Sequence, residues 1–137
     1  MKRAKKAKDP VLADLAEEDL ARLYGVTRLT LGIGTFLAPS LAARVWMGRD
    51  AAAGVSRVAL RGLGGREAAL GLGLLSALER GHSPRPWLEA GAVADAGDAL
   101  GTLSQRGTLP ASRWMIATAI AGASAWFSVQ LASAFED

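Results

Sequence analysis

Two short polar motifs stand inside apolar segments of this 137-residue sequence, and both contain side chains that could do chemistry. The first is Arg66–Glu67, enclosed by the run GLGGREAALGLGLLSAL; the second is the pair Asp95 and Asp98 in VADAGDAL. Carboxylates in apolar surroundings can exchange protons or bind a hard cation, and guanidinium groups can hold an anion. Ionisable residues in such segments are therefore candidates for a functional site.

The charges inside the apolar segments balance, three arginines against three acids: Arg28, Arg61, Arg66, Glu67, Asp95 and Asp98. An unpaired charge at the middle of a bilayer costs about 2.5 to 3.5 kcal/mol, so we expect this cluster to be internally paired. We predict a contact between Arg66 and Asp98 in particular. Two interpretations stay open: the pairs only hold helices together, or the same cluster binds a proton, an ion or a lipid headgroup.

Several other chemistries find little support. The chain has no cysteine, which excludes disulfides, thiolate nucleophiles and zinc-thiolate sites. Its one histidine, His82, lies in a polar turn, and its basic residues are not interleaved with base-stacking aromatics. A divalent cation on the three acids is disfavoured by the adjacent Arg66. We therefore predict no enzyme activity, no metal, no cofactor and no nucleic-acid partner.

The elements that must position the cluster are four apolar segments of helical length. The clearest has no charge in 22 residues, enough to cross a bilayer core of about 30 Å. The segments are 24–46, 56–78, 87–104 and 114–135. We predict an all-α fold: a four-transmembrane-helix bundle with an N-terminal amphipathic interfacial segment. Residues 1–20 would form a cytoplasmic tail and interfacial helix, and residues 21–137 the membrane domain.

Prolines and glycines suggest how these segments connect and pack. Pro39 predicts a kink, or a break followed by a short helix with Ser40 as its N-cap. The polar stretch 79–86 predicts a tight turn between antiparallel helices. Small residues allow close helix packing in lipid, and we assign that role to Gly71, Gly73, Gly97 and Gly101. The helix carrying the last two is expected at the centre of the bundle, and Trp126 is expected to pack between helices.

Aromatic and basic residues predict the membrane boundaries. Amphipathic rings prefer the interface, and four of them fall at segment ends: Tyr24, Trp46, Trp87 and Trp114. Basic residues near the start would contact anionic lipid headgroups: Lys2, Arg3, Lys5, Lys6 and Lys8. The distribution of basic residues predicts a multi-pass protein of the plasma (inner) membrane with both termini cytoplasmic.

The segment LRGLGGREAALGLGLL followed by WLEAGAVADAGDAL resembles a group of small, largely uncharacterised actinobacterial membrane proteins. Their pattern is G-x-R-E, a glycine-rich apolar run and then D-x-x-D, and related segments occur ahead of polyketide-cyclase or dehydrase-like lipid-binding domains. The resemblance covers about residues 20 to 132. It implies that Arg66, Glu67, Asp95 and Asp98 are the family's polar positions, and it implies no particular activity.

These observations predict a small polytopic membrane protein that serves as a structural or accessory subunit of a membrane complex, or as a homo-oligomer. One alternative is a minimal proton-coupled transporter or anionic-lipid-binding protein that uses the same charge cluster. A second alternative is a soluble helical bundle, because alanine-rich helices with interior arginines also occur in water-soluble proteins.

Overall fold

The computed structural model of the chain describes residues 17–48 and 54–135. Within these ranges the fold is all-α, with no strand. Five α-helices are present: α1 (Glu17–Leu37), α2 (Pro39–Met47), α3 (Gly54–Glu79), α4 (Arg85–Ser104) and α5 (Ala111–Ala132). A short 3-10 turn, Ser133–Phe135, follows α5. The 20/21 boundary predicted between tail and membrane domain falls inside α1, which is continuous there.

The predicted break at Pro39 is confirmed. Pro39 has no amide hydrogen and occupies the first position of α2, where that hydrogen would have no partner within the helix. The N-cap of α2 is Ala38 and not Ser40, so α2 begins two residues earlier than predicted. The axes of α1 and α2 differ in direction by 106° across this break. Helix α2 therefore turns sharply away from α1.

Helices α1 and α3 are antiparallel and pack backbone to backbone. An added Cβ at Gly32 would lie 2.3 Å from the Ala68 amide nitrogen, and one at Gly64 would lie 2.6 Å from the Gly32 carbonyl oxygen. About two helical turns further along α3, a Cβ added at Gly71 would lie 2.5 Å from the Leu29 backbone nitrogen. Only glycine fits at such distances, so these residues form a glycine seam, and Gly71, for which a packing role was predicted, is part of it.

A tight turn joins α3 to α4, as the sequence predicted for 79–86. Gly81 adopts a left-handed conformation with φ of 67°. The His82 amide donates to the Ala77 carbonyl at 2.9 Å and the Gly81 amide to the Leu78 carbonyl at 3.2 Å. This pattern is a Schellman motif, which ends α3 and reverses the chain. We call this end of the molecule the hairpin end.

The helices form two packed pairs, α1 with α3 and α4 with α5, and the contact between α3 and α4 is sparse. The pairs meet at the hairpin end around one small apolar core. Its buried members are Ala21, Leu74, Leu88, Leu131 and Ala132. The expectation that α4 occupies the centre of the bundle is therefore wrong, because its main neighbour is α5 alone.

One helix, α5 with its 3-10 turn (Ala111–Phe135), is long and apolar enough to cross a membrane. The bent pair of α1 and α2 also meets this criterion if it counts as one span, which gives two at most among the described residues. Helices α3 and α4 carry the charged motifs, which lower their hydropathy. The helical bundle is established, and the four-span arrangement remains a prediction.

Large apolar side chains face outward on all five helices. Examples are Leu31, Leu41, Leu72, Val93 and Ile116, of which Val93 is 74% exposed. Trp126, expected to pack between helices, is also exposed at 63%. The outer surface of the described part is therefore strongly apolar.

Candidate ion-pair site

Arg28 lies at the centre of the molecule, on the face of α1 that looks toward α3 and α4. It is 5% exposed, and its two terminal nitrogens donate to different helices. Nη1 pairs with Glu67 of α3, and Nη2 pairs with Asp95 of α4, which is itself 6% exposed. One guanidinium thus joins three helices, which its planar array of donors makes possible.

A second arginine extends this arrangement. Arg66 Nη2 lies 3.0 Å from Glu67 Oε1 and 2.5 Å from Asp98 Oδ2, and its Nη1 donates to Asp98 Oδ1 at 3.1 Å. The pairing with Asp98 is bidentate, and the predicted contact is confirmed. Arg66 and Asp98 are about one-third exposed, so this pair is less buried than the pairs of Arg28.

The five groups form one alternating series of acids and bases, which we call the charge ladder: Asp95, Arg28, Glu67, Arg66 and Asp98. Each arginine contacts two carboxylates, and Glu67 uses one oxygen for each arginine. When all five are ionised the ladder carries a formal charge of −1. Buried charges are tolerated only when paired in this way.

Hydroxyl groups complete the environment of Asp95. Ser124 Oγ donates to Asp95 Oδ2 at 2.7 Å, and the Tyr24 hydroxyl lies 2.8 Å from Ser124 and 2.7 Å from Ser128. Arg28 Nη2 also donates to the Tyr24 oxygen, at 2.8 Å. The Tyr24 hydroxyl also lies 3.3 Å from Asp95 Oδ2, so its single proton can go to Asp95 or to one of the two serines.

Local packing holds Tyr24 and Arg28 in place. The Tyr24 ring packs edge-on against Phe127 of α5 with centroids 5.2 Å apart, and the Arg28 guanidinium carbon lies 4.9 Å from the Tyr24 centroid. Gly91 of α4 leaves room for the guanidinium, since a Cβ there would lie 3.2 Å from Arg28 Nη2. Arg28 Nε is buried with no hydrogen-bond partner among the described residues.

Arg61 does not belong to the site, contrary to prediction. It is exposed and forms no ion pair within residues 17–48 and 54–135. The glycine seam explains why, because Gly64 lies opposite Phe36 near the end of α1. Arg61 is almost a turn further toward the start of α3, well beyond the level of Arg28. The sequence predicted three arginines paired with three acids, whereas the structure brings together two arginines and three acids.

The glycines predicted for packing divide into two groups. Gly71 packs on α1, and Gly73 is covered by Trp87, whose ring atoms would lie 2.4 Å from an added Cβ. At Gly97 and Gly101 an added Cβ would meet nothing within 4 Å, so these two do not pack against another described helix. The predicted packing role is wrong for Gly97 and Gly101 inside a single chain.

The predicted interface anchors also differ from one another. Trp46, Trp87 and Trp114 lie in the first or last turns of their helices, and the first two are exposed. Tyr24 instead points its hydroxyl into the site. The basic residues expected at the lipid surface, Lys2 to Lys8, lie outside the described residues.

Sequence reasoning missed three members of the site, Tyr24, Ser124 and Ser128. Tyr24 precedes Arg28 by four residues, which places both on one face of α1. Ser124 and Ser128 have the same spacing and are polar residues within the uncharged segment. The four-residue spacing of polar residues within these apolar helices could therefore have identified Tyr24, Ser124 and Ser128 as members of the site.

The carboxylates of Glu67, Asp95 and Asp98 lie close enough together to suggest a cation site, with one oxygen of each within 4.8 Å of the others. Both arginines donate to these same carboxylates. A cation held there would have to displace guanidinium groups and lie beside their positive charge, so the donor set fits a metal poorly.

No protein-family model, curated protein or solved structure compared with this chain matches it.

Proposed function

We propose that this chain is a small polytopic membrane protein that acts as a structural or accessory subunit of a membrane complex. The observation that carries the proposal is the distribution of polarity. Charged side chains are paired inside the molecule, and large apolar side chains face outward on every helix. A water-soluble bundle has the opposite distribution, whereas hydrocarbon surroundings favour it.

Helix lengths are compatible with this proposal. At about 1.5 Å per residue, four helices, α1, α3, α4 and α5, each reach or exceed the roughly 30 Å of a bilayer core. The charge ladder lies in the middle of α3 and α4, where pairing lowers the cost of carrying charge through hydrocarbon. This reasoning supports four spans even though hydropathy alone favours fewer.

The accessory role is supported by what lies on the outer face of α4. Gly97 and Gly101 are four residues apart and exposed, and Ala94 continues their stripe. Small residues at this spacing let a second transmembrane helix approach closely. The charge ladder joins α4 to α1 and α3, and because an added Cβ at Gly97 or Gly101 meets nothing within 4 Å, this stripe is available for a partner.

Alkaline carbonate extraction followed by purification tests the proposal. The protein should stay in the membrane pellet and co-purify in detergent with a stoichiometric protein partner. The double variant Gly97→Leu, Gly101→Leu should lose that partner and keep its own melting temperature, whereas Gly122→Leu, a matched change on α5, should keep both. Release by carbonate would overturn the membrane assignment, and a partner unaffected by the α4 variant would overturn the docking face.

A second candidate function, proton-coupled transport or binding, is favoured by one observation, the uneven count of the charge ladder. Two bases face three acids, so uptake of one proton would bring its formal charge from −1 to zero. Infrared difference spectra across a pH titration test this alternative. A protonated carboxyl band that disappears in Asp95→Asn or Asp98→Asn would support it, and spectra without such a band would exclude it.

A further inference from the structure

The end of the molecule opposite the hairpin end is rich in arginine, and we call it the arginine end. Here α1 stops and α2 follows, α3 begins, α4 stops and α5 begins. Five arginines of the described residues belong to these parts of the chain: Arg44, Arg57, Arg61, Arg106 and Arg113. Gly64 lies opposite Phe36, so Arg61 and Arg57 are level with the end of α1 or beyond it.

Among residues 17–48 and 54–135, positive charge at this end is not balanced by acids; Arg49 and Asp50, in the connection between α2 and α3, lie outside the described residues. The segments 31–48, 54–66 and 99–116 contain no aspartate or glutamate. Arg44, Arg57, Arg61 and Arg106 are exposed and have no ion pair among the described residues. At the hairpin end, by contrast, Arg22 pairs with Glu18 at 3.6 Å and Arg85 with Glu89 at 2.7 Å. The imbalance is therefore a property of one end.

Arg113 lies between two clefts at the arginine end. Its guanidinium donates to the Val45 carbonyl of α2, which brings it beside Trp46. One cleft, of about 350 Å³, has Ser112 and Arg113 at its polar end and continues along Ile116 and Ile120. The other, of about 180 Å³, includes Thr102 and Gln105.

The larger cleft combines two kinds of surface along one line. The end of the cleft at Ser112 and Arg113 offers hydrogen-bond donors. The rest of the cleft offers exposed isoleucines, with Ile116 57% and Ile120 55% exposed. A free anion would contact only the donor end of the cleft. A phospholipid uses both, because its phosphate takes paired hydrogen bonds from guanidinium groups and its acyl chain covers apolar surface.

We propose that the arginine end binds the headgroup of an anionic phospholipid, with an acyl chain lying along Ile116 and Ile120. This inference rests on the proposed membrane location. Arg113 contacts the phosphate, and the other four arginines supply the positive potential that selects anionic over zwitterionic lipid. The short helix α2, turned sharply from α1, provides Trp46 as one wall of the cleft.

Lipid retention in native mass spectrometry tests this inference. Protein purified in mild detergent is mixed with equal amounts of phosphatidylglycerol and phosphatidylcholine of the same chain length. We expect preferential retention of phosphatidylglycerol and a higher melting temperature with that lipid. The preference should fall about fivefold for each arginine removed in Arg44→Gln and in Arg57→Gln.

Matched variants separate the site from general charge effects. Arg80→Gln removes an exposed arginine at the hairpin end and should leave the preference unchanged. Arg113→Gln should abolish it, and because this change also removes the Val45 contact, Ile116→Ser with Ile120→Ser provides a second, independent disruption of the cleft. Both should reduce phosphatidylglycerol retention without altering secondary structure.

Several results would overturn the inference. Equal retention of the two lipids, or an equal loss in Arg80→Gln, would show that the arginine end selects nothing. Inorganic phosphate that raises the melting temperature as much as phosphatidylglycerol, with the isoleucine variant unaffected, would identify a free anion as the occupant. A protein that stays in carbonate-washed membranes but shows no lipid preference would refute only this inference and not the proposed function.

Discussion

At the scale of single residues, the main result is that one arginine, Arg28, pairs with acids from two other helices. Sequence analysis placed Arg28, Glu67 and Asp95 in one cluster from their charges alone. It identified the contact between Arg66 and Asp98, but it could not identify the acids that Arg28 contacts, because these depend on how α1 and α4 are rotated. It also included Arg61, since a count of charges takes no account of the face on which each lies.

Replacing Arg28 tests whether the ladder stabilises the fold. Arg28→Gln leaves the buried Asp95 without its counterion and leaves Glu67 with Arg66 alone, and we expect a loss of about 3–5 kcal/mol in the free energy of unfolding. Arg61→Gln, an exposed arginine without an ion pair in the described residues, should change stability by about 0.5 kcal/mol or less. Both are measured by denaturant unfolding in the same detergent. Equal effects would contradict the pairing.

The bidentate pair at the end of the ladder permits a double-mutant cycle. Arg66→Gln and Asp98→Asn should each destabilise the protein, and the double variant should lose about 0.5–3 kcal/mol less than the sum of the two. The coupling arises because the second change removes a contact that the first has already broken. The free energies of unfolding of all four proteins provide the measurement. Strictly additive losses would mean that the two side chains do not interact.

At the scale of elements, the glycine seam determines which helices pair. Sequence analysis recognised Gly71 as a packing residue and missed the other close contacts of the seam, that of Gly32 with Gly64 and that of Gly71 with the Gly25 carbonyl oxygen. Spacing indicates where small residues recur along one helix, and it does not say which other helix they meet. The same limit explains why Gly97 and Gly101 were expected to pack inside the chain, where the structure leaves them exposed.

Two glycines of α1, two residues apart, offer a matched test of the seam. Gly32→Ala places a methyl group 2.3 Å from the Ala68 backbone nitrogen, so α1 and α3 must separate. We expect a loss of about 2 kcal/mol or more in stability, in the upper range for overpacking. Gly34→Ala meets nothing within 4 Å and should be neutral or slightly stabilising, since alanine favours helix. Thermal unfolding of both variants distinguishes the two, and a neutral Gly32→Ala would refute the seam.

Helix positions were largely predictable, and their arrangement was not. The break at Pro39, the turn at 79–86 and the extents of α3, α4 and α5 follow from proline chemistry, polar turn residues and largely apolar runs of helical length. The neighbours of α4 do not follow from such local signals. Its pairing with α5 depends on side-chain fit between helices, which the spacing of residues within one helix does not specify.

At the scale of the whole molecule, four membrane crossings are the central prediction. The chain has no cysteine, so single cysteines introduced into exposed turns report location without background labelling. Ser83→Cys lies in the turn before α4 and Thr108→Cys in the connection after it. If α4 crosses the membrane, an impermeant maleimide should label these two positions from opposite sides in intact cells and inverted vesicles.

The control for this labelling experiment is the same pair of variants in detergent, where both cysteines should react. Labelling of both positions from one side would show that α4 does not cross, and the four-span arrangement would be wrong. The outcome also determines whether the charge ladder lies within hydrocarbon or at its edge. In the second case its acids and bases would need less compensation.

The sparse contact between the two helix pairs has a consequence for handling the protein. Halfway along the molecule, Coulomb attraction in the ladder replaces interlocking side chains as the link between them, and such attraction weakens as the local dielectric constant rises. A short-chain detergent that admits water should therefore separate the two helix pairs at the arginine end first. The apolar core at the hairpin end should keep the pairs in contact there.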